Sequence, residues 1–104
     1  MKPDELIARI DAGPPPAILD VSTLGEFAKG HVPGAVNVPF NQVRKRAAEV
    51  PGSRDEEVVV YCGHGPRAYV AGAMLRRLGW RKISYLAGHW ARWTRARMPI
   101  DTSS

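Results

Sequence analysis

A chain of 104 residues has room for one hydrophobic core; 44% hydrophobic and 24% charged residues exclude wholesale disorder, and no apolar stretch approaches the ~20 residues of a membrane span. One cysteine excludes an internal disulfide framework and a cysteine-rich zinc site. The net charge of +5 falls on the second half, since residues 1–52 carry six bases and six acids whereas residues 53–104 carry nine and four. That asymmetry suits an anionic substrate, an acidic partner or nucleic acid, and does not choose among them.

The N-terminal MKPDELIARIDAG carries acids and lacks the apolar core of a signal peptide, which predicts a cytoplasmic location for the chain as written. Within it, Leu6, Ile7 and Ile10 behind Pro3-Asp4 predict a short amphipathic helix that Gly13 closes. After Pro14–Pro16 comes a buried strand over Ala17–Val21, then a short helix over Thr23–Lys29 and a turn at Gly30–Gly34. Ala35–Val38 gives a second strand, and Asn41 is placed to cap a helix over Gln42–Val50. The clearest strand is Val58–Cys62, β-branched and free of charge, as a strand covered on both faces should be. A loop over Gly63–Pro66 leads into a helix over Arg67–Leu78, where Ala71, Met74, Leu75 and Leu78 make an apolar stripe and Gly79 ends it. Lys82–Leu86 is a further strand, and Gly88 precedes an Arg/Trp-rich helix over His89–Arg97. Strands alternating with helices imply an α/β fold with a mainly parallel sheet, whose reactive groups gather beyond the strands' carboxyl ends. Cys62 stands at such an end.

Cys62-Gly63-His64-Gly65-Pro66-Arg67 therefore links a buried strand to a helix N-terminus. Two glycines permit a tight curl with backbone amides turned inward. Pro66 suits the first helical turn but removes one donor. The amides left to form a cradle are those of Gly63, His64, Gly65, Arg67 and Ala68. With the positive end of the helix they make an anion site centred on the Cys62 sulfur, and the same field favours the anionic form a nucleophile needs. An isolated strand-terminal cysteine is more often a plain buried residue; the strand, glycine-rich loop and helix together reverse that reading. His64 is an acid/base group, a donor to substrate or a plain polar loop residue. Arg67 either binds an anion or, by a slight preference, points into solvent.

Three segments resemble the rhodanese domain, the sulfurtransferase homology domain: Ile18-Leu19-Asp20-Val21 with Glu26-Phe27; Gly30-His31-Val32-Pro33-Gly34-Ala35-Val36-Asn37-Val38-Pro39; and Val58–Cys62 with its loop, Leu86-Ala87-Gly88 and Trp93. They span most of residues 17–98. The resemblance implies one rhodanese-like domain over residues 1–104, with a mainly parallel five-stranded sheet flanked by helices on both faces. It implies that Cys62 takes the outer sulfur of a small anionic donor such as thiosulfate, becomes a persulfide, and passes the sulfur to a second thiophile. The loop from Gly63 to Ala68 would stabilise that persulfide, with Asp20 and His31 as supporting residues, His31 more as a hydrogen-bonded turn residue than a catalyst. Four residues separate Cys62 from Arg67, one fewer than in the loops of related dual-specificity phosphatases and arsenate reductases, which favours transfer of one sulfur atom over phosphate chemistry.

The chain departs from the family pattern in places. Ser22 stands where an Arg commonly pairs with the acid matching Glu26, so Glu26 is either solvated or paired with another base. His89 and Trp90 replace small residues after Gly88, and either crowd the rim of the pocket or supply a lid. With one cysteine, no second thiol can resolve the persulfide, so the acceptor must be an external thiol or sulfur-acceptor protein. The basic second half would attract the donor or an acidic acceptor. No metal or organic cofactor is indicated. The alternative is a non-catalytic or sulfur-carrier module docking through Trp80, Trp90 and Trp93 with Arg92, Arg95 and Arg97, although packed tryptophans beside solvated arginines are the plainer reading. A nucleic-acid binder ranks third, for lack of a recognised motif. A monomer or weak homodimer is expected.

Overall fold

The run Val58-Val59-Val60-Tyr61 forms a strand buried along its whole length, the centre of the fold in the computed structural model, which describes residues 1–102. It is β3 of a parallel sheet with β1 (Ala17–Asp20), β2 (Val36–Asn37) and β4 (Ile83–Tyr85), in the order β2-β1-β3-β4. Register pairs Leu19 with Val60 and Asp20 with Tyr61 on one side of β3, and Val60 with Tyr85 on the other. Among the described residues the sheet has four strands, not the five implied by the resemblance. His31 and Asp101 add an isolated antiparallel bridge. Extending that bridge would pair Pro33 with Pro99, and neither has an N–H to give to a ladder.

Alternation along the strands sorts side chains onto two cores. Leu19, Val58, Val60 and Cys62 face α3 (Pro66–Arg77), whose Ala68, Ala71 and Leu75 are buried against them. Ile18, Val59 and Tyr61 face the other way, toward Leu6 of α1 (Pro3–Ala12) and Trp93 of α4 (His89–Arg95). Helices therefore cover both faces, and each fully buried Val or Leu contributes about 1.5–3 kcal/mol of transfer free energy. No described helix is long and apolar enough to cross a membrane.

The expected helix over Gln42–Val50 is instead two single 3₁₀ turns, Phe40–Gln42 and Ala47–Glu49, with no cap from Asn41. Val43 and Val50 are both buried in the α3-side core, and the backbone leaves helical geometry at Arg46, where φ is −113° and ψ 29°. For Trp80 and Trp93 the plainer reading holds, since they are packed at 4% and 0% exposed. Trp93 donates its indole N–H to the Pro99 carbonyl, and Arg54 stacks over Trp80.

Because β1 lies between β2 and β3, the chain leaves β1 in one direction for β2 and later returns on the other side for β3. Such a reversal leaves a crevice beyond the carboxyl ends of β1 and β3, where ligands of open α/β sheets bind. Asp20 ends β1, and Cys62 follows β3 directly.

Candidate active site

The Cys62 loop occupies that crevice. Cys62 itself is 1% exposed. Gly65 turns back with φ 133° and ψ −48° to begin α3, and in doing so donates its N–H to the Cys62 Sγ at 3.0 Å. Pro66 opens the helix as its first residue. The sulfur therefore sits at the positive end of a three-turn helix with a backbone donor aimed at it, an arrangement that stabilises negative charge. The His64 side chain is exposed.

Arg67 does not run out into solvent. Its guanidinium forks onto Glu26 of α2 (Leu24–Lys29), with Nη1 to Oε1 at 2.7 Å and Nη2 to Oε2 at 3.1 Å. Glu26 is thereby the partner of Arg67, and its carboxyl is held down at about 2, chiefly by the Arg67 hydrogen bonds and next by the Thr23 amide. Glu26 also closes a capping box, donating its amide to Thr23 Oγ1 and accepting from the Thr23 amide. The spacing Thr23-x-x-Glu26 carried that second signal in the sequence; the pairing with Arg67, 41 residues away, had no local signal.

Between α2, the sulfur loop and the start of α4 lies a cavity of about 200 Å³ walled by Asp20, Ser22, Glu26, Lys29, Gly63 and Trp90. Asp20 is 2% exposed and accepts hydrogen bonds from both the amide and the hydroxyl of Ser22. Burial nevertheless dominates and raises the Asp20 pKa above the usual carboxylate range. Burial and the neighbouring Asp20 charge raise the Tyr61 phenol likewise, and the Tyr61 oxygen accepts the Val32 amide. Ser22 thus takes part in this network rather than leaving a gap where the family's Arg would stand.

His31 lies outside the cavity's walls. It is stacked on Phe27 at 3.7 Å and donates from Nδ1 to the Phe27 carbonyl, while its backbone makes the bridge to Asp101. His89 was expected at the rim or in a lid; it is instead 3% exposed and beneath the loop. Its Nδ1 accepts the Cys62 amide at 3.3 Å. The next two residues continue the grip, the Trp90 amide donating to the Cys62 carbonyl and the Ala91 amide to that of Gly63. In the sequence His89 stands out only as a departure; its contact spans 27 residues and has no local signal. Among the described residues no group of three or more His, Cys, Asp and Glu is placed to hold a metal ion.

A family model for the rhodanese-like domain matches residues 2–96. A sulfurtransferase of Allochromatium vinosum is 35% identical over 83 residues, covering 80% of this chain and 76% of that protein. The thiosulfate sulfurtransferase PspE of Escherichia coli is 29% identical over 70 residues, 67% of each chain. Other relatives are longer, and the chain spans 45% of YrkF from Bacillus subtilis. Among solved structures, the Alr3790 protein of Anabaena sp. superposes with a TM-score of 0.88 at 25% identity, over 99% of this chain and 82% of that one. Together with the parallel sheet and the cysteine loop at its switch point, these likenesses show that the chain belongs to the rhodanese-like domain family.

Proposed function

We propose that the protein is a sulfurtransferase that carries sulfane sulfur as a persulfide on Cys62, with thiosulfate as a donor. The observation that carries this reading is the Gly65 N–H on the Cys62 sulfur at the N-terminus of α3, beside a cavity at the sheet's switch point. In the first half-reaction the Cys62 thiolate attacks the outer sulfur of thiosulfate. The bond between the two donor sulfurs breaks, and its electron pair leaves with sulfite. In the second, cyanide or an external thiolate attacks the outer sulfur of the persulfide, forming thiocyanate or a new persulfide and returning the thiolate. The amides of Gly63, His64, Gly65, Arg67 and Ala68 cradle the charge on the outer sulfur, which is where donors fixed in advance stabilise a transition state most. Asp20 and Ser22 shape the cavity floor, and Lys29 offers a cation to the donor's sulfonate end. The Arg67–Glu26 pair ties α3 to α2 across the entrance. With no second cysteine in the chain, the acceptor comes from outside.

Intact-mass measurement after incubation with thiosulfate tests this. The protein should gain one sulfur atom, cyanide should remove it as thiocyanate, and Cys62→Ser should gain none while unfolding at a similar urea concentration. Sulfur uptake by Cys62→Ser, or none by the wild type with thiosulfate, mercaptopyruvate or a low-molecular-weight persulfide, would refute the proposal. Uptake without turnover would make the chain a sulfur carrier.

A further inference from the structure

We infer that His89 is a positioning residue for the sulfur loop: its imidazole Nδ1 holds the Cys62 amide and so sets the direction in which β3 delivers the sulfur to Gly65. The inference rests on the persulfide reading of Cys62. Cys62 lies just past the last paired residue of β3, and its buried amide is satisfied by a side chain instead of a neighbouring strand. A buried N–H is rarely left without a partner, so whatever accepts it fixes the peptide plane. That plane carries the Cys62 Cα and, through it, the sulfur.

Three features show that the imidazole is held for this contact. His89 has φ 54°, in the left-handed region, although it is not glycine. The ring is pinned edge-on against Tyr69, with centroids 5.7 Å apart and planes at 82°. Its Nε2 edge lies against Gly65, where an added Cβ would come within 3.3 Å. Accepting at Nδ1 also fixes the tautomer, placing the proton of the neutral ring on Nε2. Burial, with a smaller effect from His64, lowers the His89 pKa and keeps the ring neutral near pH 7. The flanking bonds from the Trp90 and Ala91 amides are made by the backbone, so replacing the His89 side chain removes the acceptor and leaves them in place.

The test compares His89→Gly, which accepts the positive φ but offers no acceptor, with His89→Asn, which tolerates that φ and places an amide oxygen near the Nδ1 position. With thiosulfate and cyanide as substrates, His89→Gly should lose about tenfold in kcat, about 1.4 kcal/mol, with KM within about twofold of wild type, as expected for an interaction that orients the reacting sulfur. His89→Asn should recover kcat to within about threefold of wild type, because it restores the hydrogen bond. Should His89→Gly fail to fold, the tautomer of the wild-type ring carries the test. Ring ¹⁵N shifts of the labelled wild-type protein should show the Nε2–H tautomer. Equal kcat for the acceptor-free variant and wild type, equal loss in His89→Asn, or an Nδ1–H tautomer would each overturn the assignment. Failure of the wild type to take up sulfur would instead overturn the persulfide reading; the tautomer measurement decides the Cys62 hydrogen bond separately.

Discussion

Gly65→Ala places a Cβ where the backbone has φ 133° and ψ −48°, a region L-residues scarcely enter. Strain of this kind costs about 1–3 kcal/mol. The new methyl would also stand 3.3 Å from His89 Nε2 and 3.3 Å from Tyr69 Cε2. Those two rings pack on each other, so neither yields without moving the other, and roughly another 1 kcal/mol of overpacking follows. The sum, about 2–4 kcal/mol, is a large share of a small domain's stability and corresponds to a fall in Tm of roughly 10–25 °C. The same strain turns the Gly65 amide away from Cys62 Sγ, so thiocyanate formation should slow by about 10–100-fold, somewhat less than the full loss of a transition-state donor. Gly63→Ala is the matched control for stability. Gly63 lies outside the left-handed region, and its added Cβ would meet Arg67 Nη2 at 3.4 Å, an ordinary van der Waals contact, so its stability should stay within about 1 kcal/mol of wild type. Urea denaturation of both variants, followed by thiocyanate assays, decides the matter. A Gly65→Ala protein as stable as Gly63→Ala and as active as wild type would refute the reasoning.

Two further predictions concern pH. Burial raises the Asp20 pKa above its ordinary value of 3.8, so the folded protein keeps this proton longer than the unfolded chain, and that contribution to stability fades as pH rises from 3.8 toward the folded value. Asp20→Asn removes the effect; its stability relative to wild type should therefore improve between pH 3.5 and pH 6.5, and parallel urea curves at the two pH values would contradict this. Glu26 behaves oppositely: its folded pKa of about 2 lies below its ordinary 4.5, so the Arg67 pair stabilises above pH 4.5 and is lost as pH falls toward 2. Because the Glu26 side chain is 48% exposed, Glu26→Gln should cost only about 0.2–1 kcal/mol near neutrality. The cost should shrink in 1 M salt and at pH 3.5; a salt-independent loss above about 2 kcal/mol would show a different role.

The parts of this protein written locally in the chain were legible there. Val58–Tyr61 reads as a strand because its β-branched residues suit a sheet buried on both sides, and the glycines and Pro66 of the next six residues mark a loop feeding a helix start. The alternation of such strands and helices gives the α/β class, and the cysteine's place follows from the loop. What required the folded chain are choices made between distant segments. The segment over Gln42–Val50 carries Val43 and Val50 into the α3-side core through two 3₁₀ turns in place of the expected helix. Pro33 and Pro99, 66 residues apart in the chain, stop a fifth ladder after one bridge. Arg67 could reach either solvent or a partner until α2 brought Glu26 alongside. His89, legible only as an unexpected residue after Gly88, became the acceptor for Cys62 because α4 crosses beneath the end of β3. Periodicity and turn chemistry act over a few residues and are visible in one dimension; hydrogen-bond and charge partners are selected by proximity, which exists only after the strands have paired and the helices have docked.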